Sequence, residues 1–353
     1  MIHFRQPDQT ADINGREQLH RRLAATIEQP TVLSRTEYLG LSDPGRDCYD
    51  RARVLYLSGG ILVNTPALRA AKKTLRRLLG ENLGRNSGHT GLMLSGDSTL
   101  GKTTIAESLM KYVFRSYRSQ FPDFEAEGRV PVVSVEVPAG CTGKLLMIAF
   151  ARFFGLSIAR TETADSIRNR VVQALNAAGT QLVVVDELHN LTAANRGNGE
   201  SVDILKALHN QVPATFLYAG IDLDNGALLG GSRGQQLSAR FARTDLTRFN
   251  HSDPDRAAEW YNIVGTFEKS LCLADHKPGS LREMSRYLHE RTNGSIGSLG
   301  RLLAGTAIEL IVDPDGRPEA LTKELLDDQI LDMAAETAYA SRPISMKTKA
   351  IAA

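Results

Sequence analysis

No run of apolar residues in this 353-residue sequence approaches the length of a membrane span. The N-terminus is polar and carries no signal-peptide core. Cysteine is scarce. Cys48, Cys141 and Cys272 are odd in number and far apart, which fits neither a zinc site nor a disulfide framework. A reducing, cytoplasmic setting is the expectation. Charge of one sign is lacking too: the formal net charge is only +2, so attraction to a polyanion must come from local basic patches rather than from the total. Internal repeats are absent. What remains, 42% hydrophobic and 23% charged, is ordinary for a soluble globular chain whose length suits two or three structural units.

One stretch stands out against these absences. Residues 91–104 read Gly-Leu-Met-Leu-Ser-Gly-Asp-Ser-Thr-Leu-Gly-Lys-Thr-Thr, and 96–103 within them fit G-x-x-x-x-G-K-[ST]. Leu92 to Ser95 read as a short buried strand before the motif, and Ile105, Leu109 and Val113 recur at helical spacing after it. A glycine-bearing turn between strand and helix wraps its N–H groups round phosphate oxygens, and the helix N-terminus favours the anion. The candidate phosphate-binding residues are Gly96, Asp97, Ser98, Thr99, Leu100, Gly101, Lys102, Thr103 and Thr104. Lys102 would reach the β- and γ-phosphates of a nucleotide such as ATP, and the Thr103 hydroxyl would ligate Mg²⁺.

A second stretch, Gln-Leu-Val-Val-Val-Asp-Glu-Leu-His-Asn at 181–190, has the continuous apolar run of a strand buried on both faces. Asp186 and Glu187 would lie at its C-terminal end, where open α/β sheets bind ligands. A carboxylate there needs a cation, so Asp186 is expected in the Mg²⁺ shell and among the nucleotide-binding residues. Glu187 is expected to orient and polarise the attacking water. The plainer reading of this pair is a helix N-terminal cap.

Along the chain, residues 1–50 read as a polar N-terminal extension with a short helix near 18–27. The Thr65-Pro66 pair opens a helix whose apolar side is Leu68, Ala71, Leu75 and Leu78. Arg69, Lys72, Lys73, Arg76 and Arg77 occupy the rest, a face suited to phosphates or simply solvated. Strands are expected at 92–95, 130–137, 182–185, 214–219 and 246–249, alternating with helices. That pattern implies a five-stranded parallel sheet with helices on both faces over 51–250. Residues 251–339 turn helical, with helices expected over 281–291, 295–312 and 320–338, and 340–353 form a basic, flexible tail.

A P-loop strand, an Asp-Glu pair on a nonadjacent strand and a trailing helical lid together resemble the AAA+ ATPases, P-loop NTPases of the α/β class. Within that class the chain is most similar to the TniB/TnsC-type regulators of DNA transposition. The details are the Thr65-Pro66 helix, Gly-Asp-Ser-Thr-Leu-Gly-Lys-Thr at 96–103, Gln-Leu-Ser-Ala-Arg-Phe at 236–241, and Thr-Asn-Gly-Ser-Ile-Gly-Ser-Leu at 292–299. The resemblance spans about residues 51–312. It implies an ATPase that uses ATP and Mg²⁺, assembles as a ring or filament on duplex DNA with ATP at subunit interfaces, and recruits a transposase, with a target-selection protein as a further partner. It makes Arg240 the arginine finger acting in trans, with Glu187 and Lys102 as the other catalytic residues, and Arg243 a second candidate. DNA would be held by its backbone with little base readout, and Lys144 and Arg196 lie on loops suited to that contact.

The sequence departs from the wider class in two places. Where a polar residue is usual after the fourth strand, it reads Ala219-Gly220-Ile221-Asp222, with only Asp222 polar. Where the lid often carries an arginine, 294–297 read Gly-Ser-Ile-Gly, and Arg301 follows one turn later. Slow hydrolysis would fit both. The alternatives are an initiator or helicase-loader ATPase, for which a winged helix after Val312 would be expected and is not seen, and a nucleotide-dependent switch in signalling or phage defence.

Overall fold

Every residue of Gly91–Ser95 is buried, and this strand, β1, lies inside a five-stranded parallel sheet. The computed structural model describes residues 15–191, 198–223, 238–313 and 317–341. The other strands are β2 (Val132–Glu136), β3 (Leu182–Asp186), β4 (Thr215–Gly220) and β5 (Phe241–Asp245), in the order β2-β3-β4-β1-β5. Their buried residues are mostly Val, Leu and Phe, as expected for strands covered on both faces. The chain leaves β1 for the far edge at β2, returns through β3 and β4, and ends beside β1 at β5. The connections leaving the adjacent strands β1 and β4 therefore run in opposite directions, and it is outside such a pair that open α/β sheets take ligands at their strand C-termini.

Right-handed crossovers travelling in opposite directions put their helices on opposite faces. The β1–β2 crossover is α5 (Lys102–Gln120), which packs with α4 (Pro66–Asn82) against β1 to β5. The return crossovers are α6 (Gly143–Phe153), α7 (Ala164–Ala177) and α8 (Asn198–Gln211), which pack on one another. On α4 the buried Leu68, Ala71, Leu75 and Leu78 form one stripe. At its end the Asn82 side chain fixes the entry to β1. It donates to Thr90 O and Thr215 Oγ1, each at 2.8 Å, and accepts from Thr90 N–H at 2.8 Å. Within the expected N-terminal extension, α1 (Arg16–Ala24) buries Leu19 and Leu23 completely and contacts α5, so this piece belongs to the first core.

Among the described residues, a second compact unit comprises 26–65, 247–313 and 317–341. Its helices are α2 (Arg35–Leu39), α3 (Asp43–Gly59), α9 (Pro254–Lys269), α10 (Ser280–Glu283), α11 (Ser285–Thr292), α12 (Ile296–Val312), α13 (Lys323–Asp328) and α14 (Met333–Ala340). The fully buried Trp260, Leu299, Leu302 and Leu303 centre its core. Arg53 of α3 is fully buried there. Its guanidinium forks onto Glu319 at 2.6 and 3.1 Å, reaches Asp50 and the Cys272 carbonyl, and lies over the Tyr38 and Tyr49 rings. A fork of this kind suits a planar cation and leaves it paired where it is desolvated.

Three expectations need correcting. The last strand is Phe241–Asp245, not 246–249, because an edge strand with partly exposed side chains shows no apolar run. The compact units do not follow the linear division at residue 51: α3 packs on α12 and carries 43–59 into the helical unit. The helix expected over 281–291 breaks at Met284, and that expected over 320–338 is two helices separated by 329–332. No single helix among the described residues is long and apolar enough to cross a membrane. The bent pair Ser285–Thr292 and Ile296–Val312 passes that test only by length and composition, across a 111° break. Of the expected basic tail at 340–353, Ala340 ends the last helix and Ser341 caps it, and 342–353 lie outside the described residues.

Candidate active site

β1 ends at Ser95 and α5 begins at Lys102, so the six residues between them make the turn. Two glycines are required by geometry. A Cβ on Gly96 would lie 2.6 Å from the Leu246 carbonyl oxygen, and Gly101 has φ 89°. Thr99 also has positive φ, at 64°, an uncommon conformation for a β-branched residue. Leu100 is buried and anchors the turn to the core, whereas Asp97 and Ser98 are exposed. Lys102 is only 6% exposed, and its Nζ donates to Gly96 O at 2.8 Å and Asp97 O at 2.7 Å. Burial pushes its pKa below the ordinary lysine value, and the charges of Glu187, Asp186 and Asp97 oppose that shift. The hydroxyl-bearing Thr103 and Thr104 follow on the exposed side of the first helical turn.

Asp186 closes β3 beside this turn. Its Oδ2 accepts from Thr103 Oγ1 at 3.2 Å and its Oδ1 from the Glu187 N–H at 2.8 Å. A hydroxyl and a carboxylate, both hard oxygen donors, thus meet at the mouth of the phosphate turn, a donor pair that suits Mg²⁺ carried in with nucleotide phosphates. Glu187 sits in the left-handed region at φ 55° and leads into a single 3₁₀ turn, Leu188–Asn190. Neither Asp186 nor Glu187 caps an α-helix. His189 Nε2 lies 3.3 Å from Glu187 Oε2, while His189 Nδ1 accepts from the Ile221 N–H at 3.2 Å. Asn190 donates to Val137 O at 3.0 Å. Sequence alone assigns His189 no role. Its signal was its place two residues beyond Glu187, just after the apolar strand run.

The remaining candidates are scattered. Arg240 lies in the turn before β5, half-buried, with its guanidinium on Asn210 rather than pointing freely outward. Gly91 pairs with Phe241 and Ser95 with Asp245, so Arg240 stands at the opposite end of β1 from the phosphate turn. Five residues of parallel strand separate them, about 17 Å of rise. The structure therefore does not bring Arg240 to the P-loop of its own chain. Arg243 is within β5, with Nε 2.6 Å from Asp245 Oδ1. Lys144 is half-buried in the first turn of α6, which Thr142 caps by accepting from the Leu145 N–H at 3.3 Å. Arg196 and, of the 236–241 segment, Gln236 and Leu237 lie outside the described residues. Arg69, Lys72, Lys73, Arg76 and Arg77 of α4 are exposed, with Arg77 paired to Glu81 and Lys72 over the Tyr112 ring.

A parallel sheet in this order, a P-loop after β1 and an Asp-Glu pair at the end of β3 define an AAA+ P-loop ATPase. Residues 53–251, more than half of the chain, match the family model described as Bacterial TniB protein. The chain belongs to the TniB family. Among solved structures it is similar to the Aeropyrum pernix ORC1 protein in complex with DNA, at 15% identity and TM-score 0.58, covering 81% of this chain and 68% of that one. It is also similar to the A. pernix ORC2 protein in its ADPNP-ADP complexes, at 17% identity and TM-score 0.53, covering 82% and 71%. Cdc6p from Pyrobaculum aerophilum is similar at 15% identity and TM-score 0.51, covering 77% and 68%. These likenesses concern the fold. No curated protein matches the chain.

Proposed function

We propose that this protein is an ATP-dependent, DNA-binding regulator of transposition that assembles on duplex DNA and recruits or activates a transposase. The observation that carries the nucleotide part is the meeting of Thr103 and Asp186 at the end of β1 and β3, 3.2 Å apart. The turn from Gly96 to Thr104 cradles the phosphates, with the N-terminus of α5 aimed at them. Lys102 exchanges its two loop carbonyls for β- and γ-phosphate oxygens. Thr103 and Asp186 are the residues that would hold Mg²⁺, whose charge offsets that on the phosphates. Glu187 accepts the proton of the attacking water as its oxygen bonds to the γ-phosphorus and the bond to the bridging oxygen breaks.

Arg240 completes the site of a second copy. A guanidinium about 17 Å of strand away from its own P-loop does not serve that P-loop; acting on a neighbour's, it would make hydrolysis depend on assembly as a ring or filament. The sparse polarity after β4, where only Asp222 is polar, supports slow turnover. Membership of the TniB family supports the role in transposition, and the similarity to an ORC1 protein solved with DNA supports a duplex partner. Lys144, in the first turn of α6, and Arg196, outside the described residues, are the proposed backbone contacts. A helicase loader on the same engine remains the second reading, favoured by the initiator-type neighbours.

The test is binding of random-sequence duplexes with and without a nonhydrolysable ATP analogue at several salt concentrations. Affinity should require nucleotide, ignore sequence and fall by roughly 0.9 decades per decade of salt for each phosphate contacted. Tight binding to one sequence alone, or no response to salt, overturns the reading.

A further inference from the structure

His189 makes one hydrogen bond and one close contact with a carboxylate, and together they orient its ring. Nδ1 accepts from the backbone N–H of Ile221, just past the end of β4, at 3.2 Å. The neutral ring must then carry its hydrogen on Nε2, and Nε2 lies 3.3 Å from Glu187 Oε2. The ring thus turns its Nε2–H side to one oxygen of that carboxylate, 3.3 Å away, and leaves the other for a water. Crowding at the strand end holds the arrangement. A Cβ on Gly220 would come within 3.3 Å of both the His189 backbone nitrogen and Nδ1. Asn190 pins the other end of the short turn by its bond to Val137 O at 3.0 Å.

We propose that His189 is the positioning residue for Glu187: it ties that carboxylate, through one imidazole, to the backbone at the C-terminal end of β4. This rests on Glu187 being the base that receives the water's proton. A carboxylate in an exposed mouth samples several rotamers, and only some direct an oxygen at water in line with the γ-phosphate. Fixing Oε2 removes most of that freedom. The backbone N–H of Ile221, acting through His189, thus supplies an ordered polar link from the end of β4 to Glu187.

Three variants separate the two contacts. His189→Ala removes both. His189→Asn keeps an acceptor near the Nδ1 position for Ile221 but no donor for Glu187. His189→Gln places a donor near the Nε2 position and gives up the Ile221 bond. Single-turnover hydrolysis of Mg·ATP by the full-length protein with duplex DNA is measured alongside binding of a fluorescent ATP analogue, with Glu187→Gln in the same series. Positioning through Nε2 gives His189→Ala and His189→Asn about 10-fold slower hydrolysis with nucleotide affinity within about twofold of wild type, and His189→Gln recovers most of the rate. Unchanged hydrolysis in all three, faster hydrolysis in His189→Ala, or recovery by Asn and not Gln overturns the proposal. Loss of nucleotide affinity in parallel with rate in all three also overturns it, since that marks a structural role. Wild-type turnover by Glu187→Gln would instead remove Glu187 as the base, a separate failure.

Discussion

Thr103 and Asp186 stand 83 positions apart in the chain, and Thr103 Oγ1 donates a hydrogen bond to Asp186 Oδ2 at 3.2 Å. One is the second residue of α5 and the other the last residue of β3, a strand separated from β1 by β4. The bond therefore reports that the sheet order is the one that brings a phosphate turn and an acidic strand end to a single mouth. Four tests probe what that mouth and its surroundings do.

Lys102→Ala should cost nucleotide affinity by at least about 100-fold, because a charge-assisted contact to two phosphates disappears. The fold should survive, since Lys102 Nζ bonds only to the carbonyls of Gly96 and Asp97 within its own turn. Titration with a fluorescent ATP analogue and Mg²⁺, alongside a circular-dichroism melt, checks both halves. Wild-type affinity would remove the phosphate-binding role.

Glu187→Gln should leave nucleotide affinity near wild type and slow hydrolysis by about 100-fold or more. The amide keeps the size and can still accept from His189 Nε2, yet it cannot take a proton from water. A phosphate-release assay at saturating ATP is decisive. Turnover at the wild-type rate would move the base elsewhere.

Arg240→Ala should bind nucleotide almost normally as a monomer yet lose hydrolysis and nucleotide-dependent assembly on DNA. Mixed with Lys102→Ala, each inactive alone, it should regain partial activity, because some interfaces then join an intact P-loop to an intact arginine. Assemblies proven to be mixed that stay inactive at every ratio would eliminate the role in trans. Full activity of Arg240→Ala alone would turn attention to Arg243.

His209 offers a test of stability rather than turnover. Its ring is fully buried between Phe216 and Phe241, and neither nitrogen has a hydrogen-bond partner among the described residues. Burial, helped by the charges of Arg240 and His89, pushes its pKa down from 6.5 to about 4. The unfolded chain binds a proton near pH 6.5 that the folded chain refuses until about pH 4. The contribution is therefore fully present above pH 6.5 and is lost as pH falls towards 4, by roughly 3 kcal/mol in all. His209→Phe should flatten the denaturation midpoint over that window. An equally steep decline in the variant would place the acid sensitivity in other groups.

Much of this arrangement was legible because buried parallel strands write themselves as apolar runs. Leu-Val-Val-Val before Asp186 and Leu-Met-Leu before Ser95 needed no neighbour to be read. Phe-Ala-Arg-Thr-Asp did not look like a strand, since β5 is an edge strand whose side chains are only partly covered. Membership of α3 in the helical unit was equally hidden. Its Tyr56 and Leu57 mark an amphipathic helix, but sequence spacing does not say which distant partner covers it. At the site, residue types alone picked out Lys102, Thr103, Asp186 and Glu187. His189 acquires meaning only once β4 lies beside β3 and offers the Ile221 N–H.

The buried fork between Arg53 and Glu319 has a consequence for how the protein is made. The partners are separated by 266 positions, so Arg53 leaves the ribosome long before the carboxylate that neutralises it. At about 5–20 residues per second, the wait is roughly 13–53 s. Throughout it, α3 must keep a cation in water that the finished molecule removes from it, and the nucleotide-binding sheet between them is synthesised and complete first. Residues 26–65 are thus held in escrow during translation, exposed to chaperones and proteases until the last helices arrive. Slowing elongation after residue 246 should lengthen that window and raise the yield of nicks within 26–65, while the sheet stays intact.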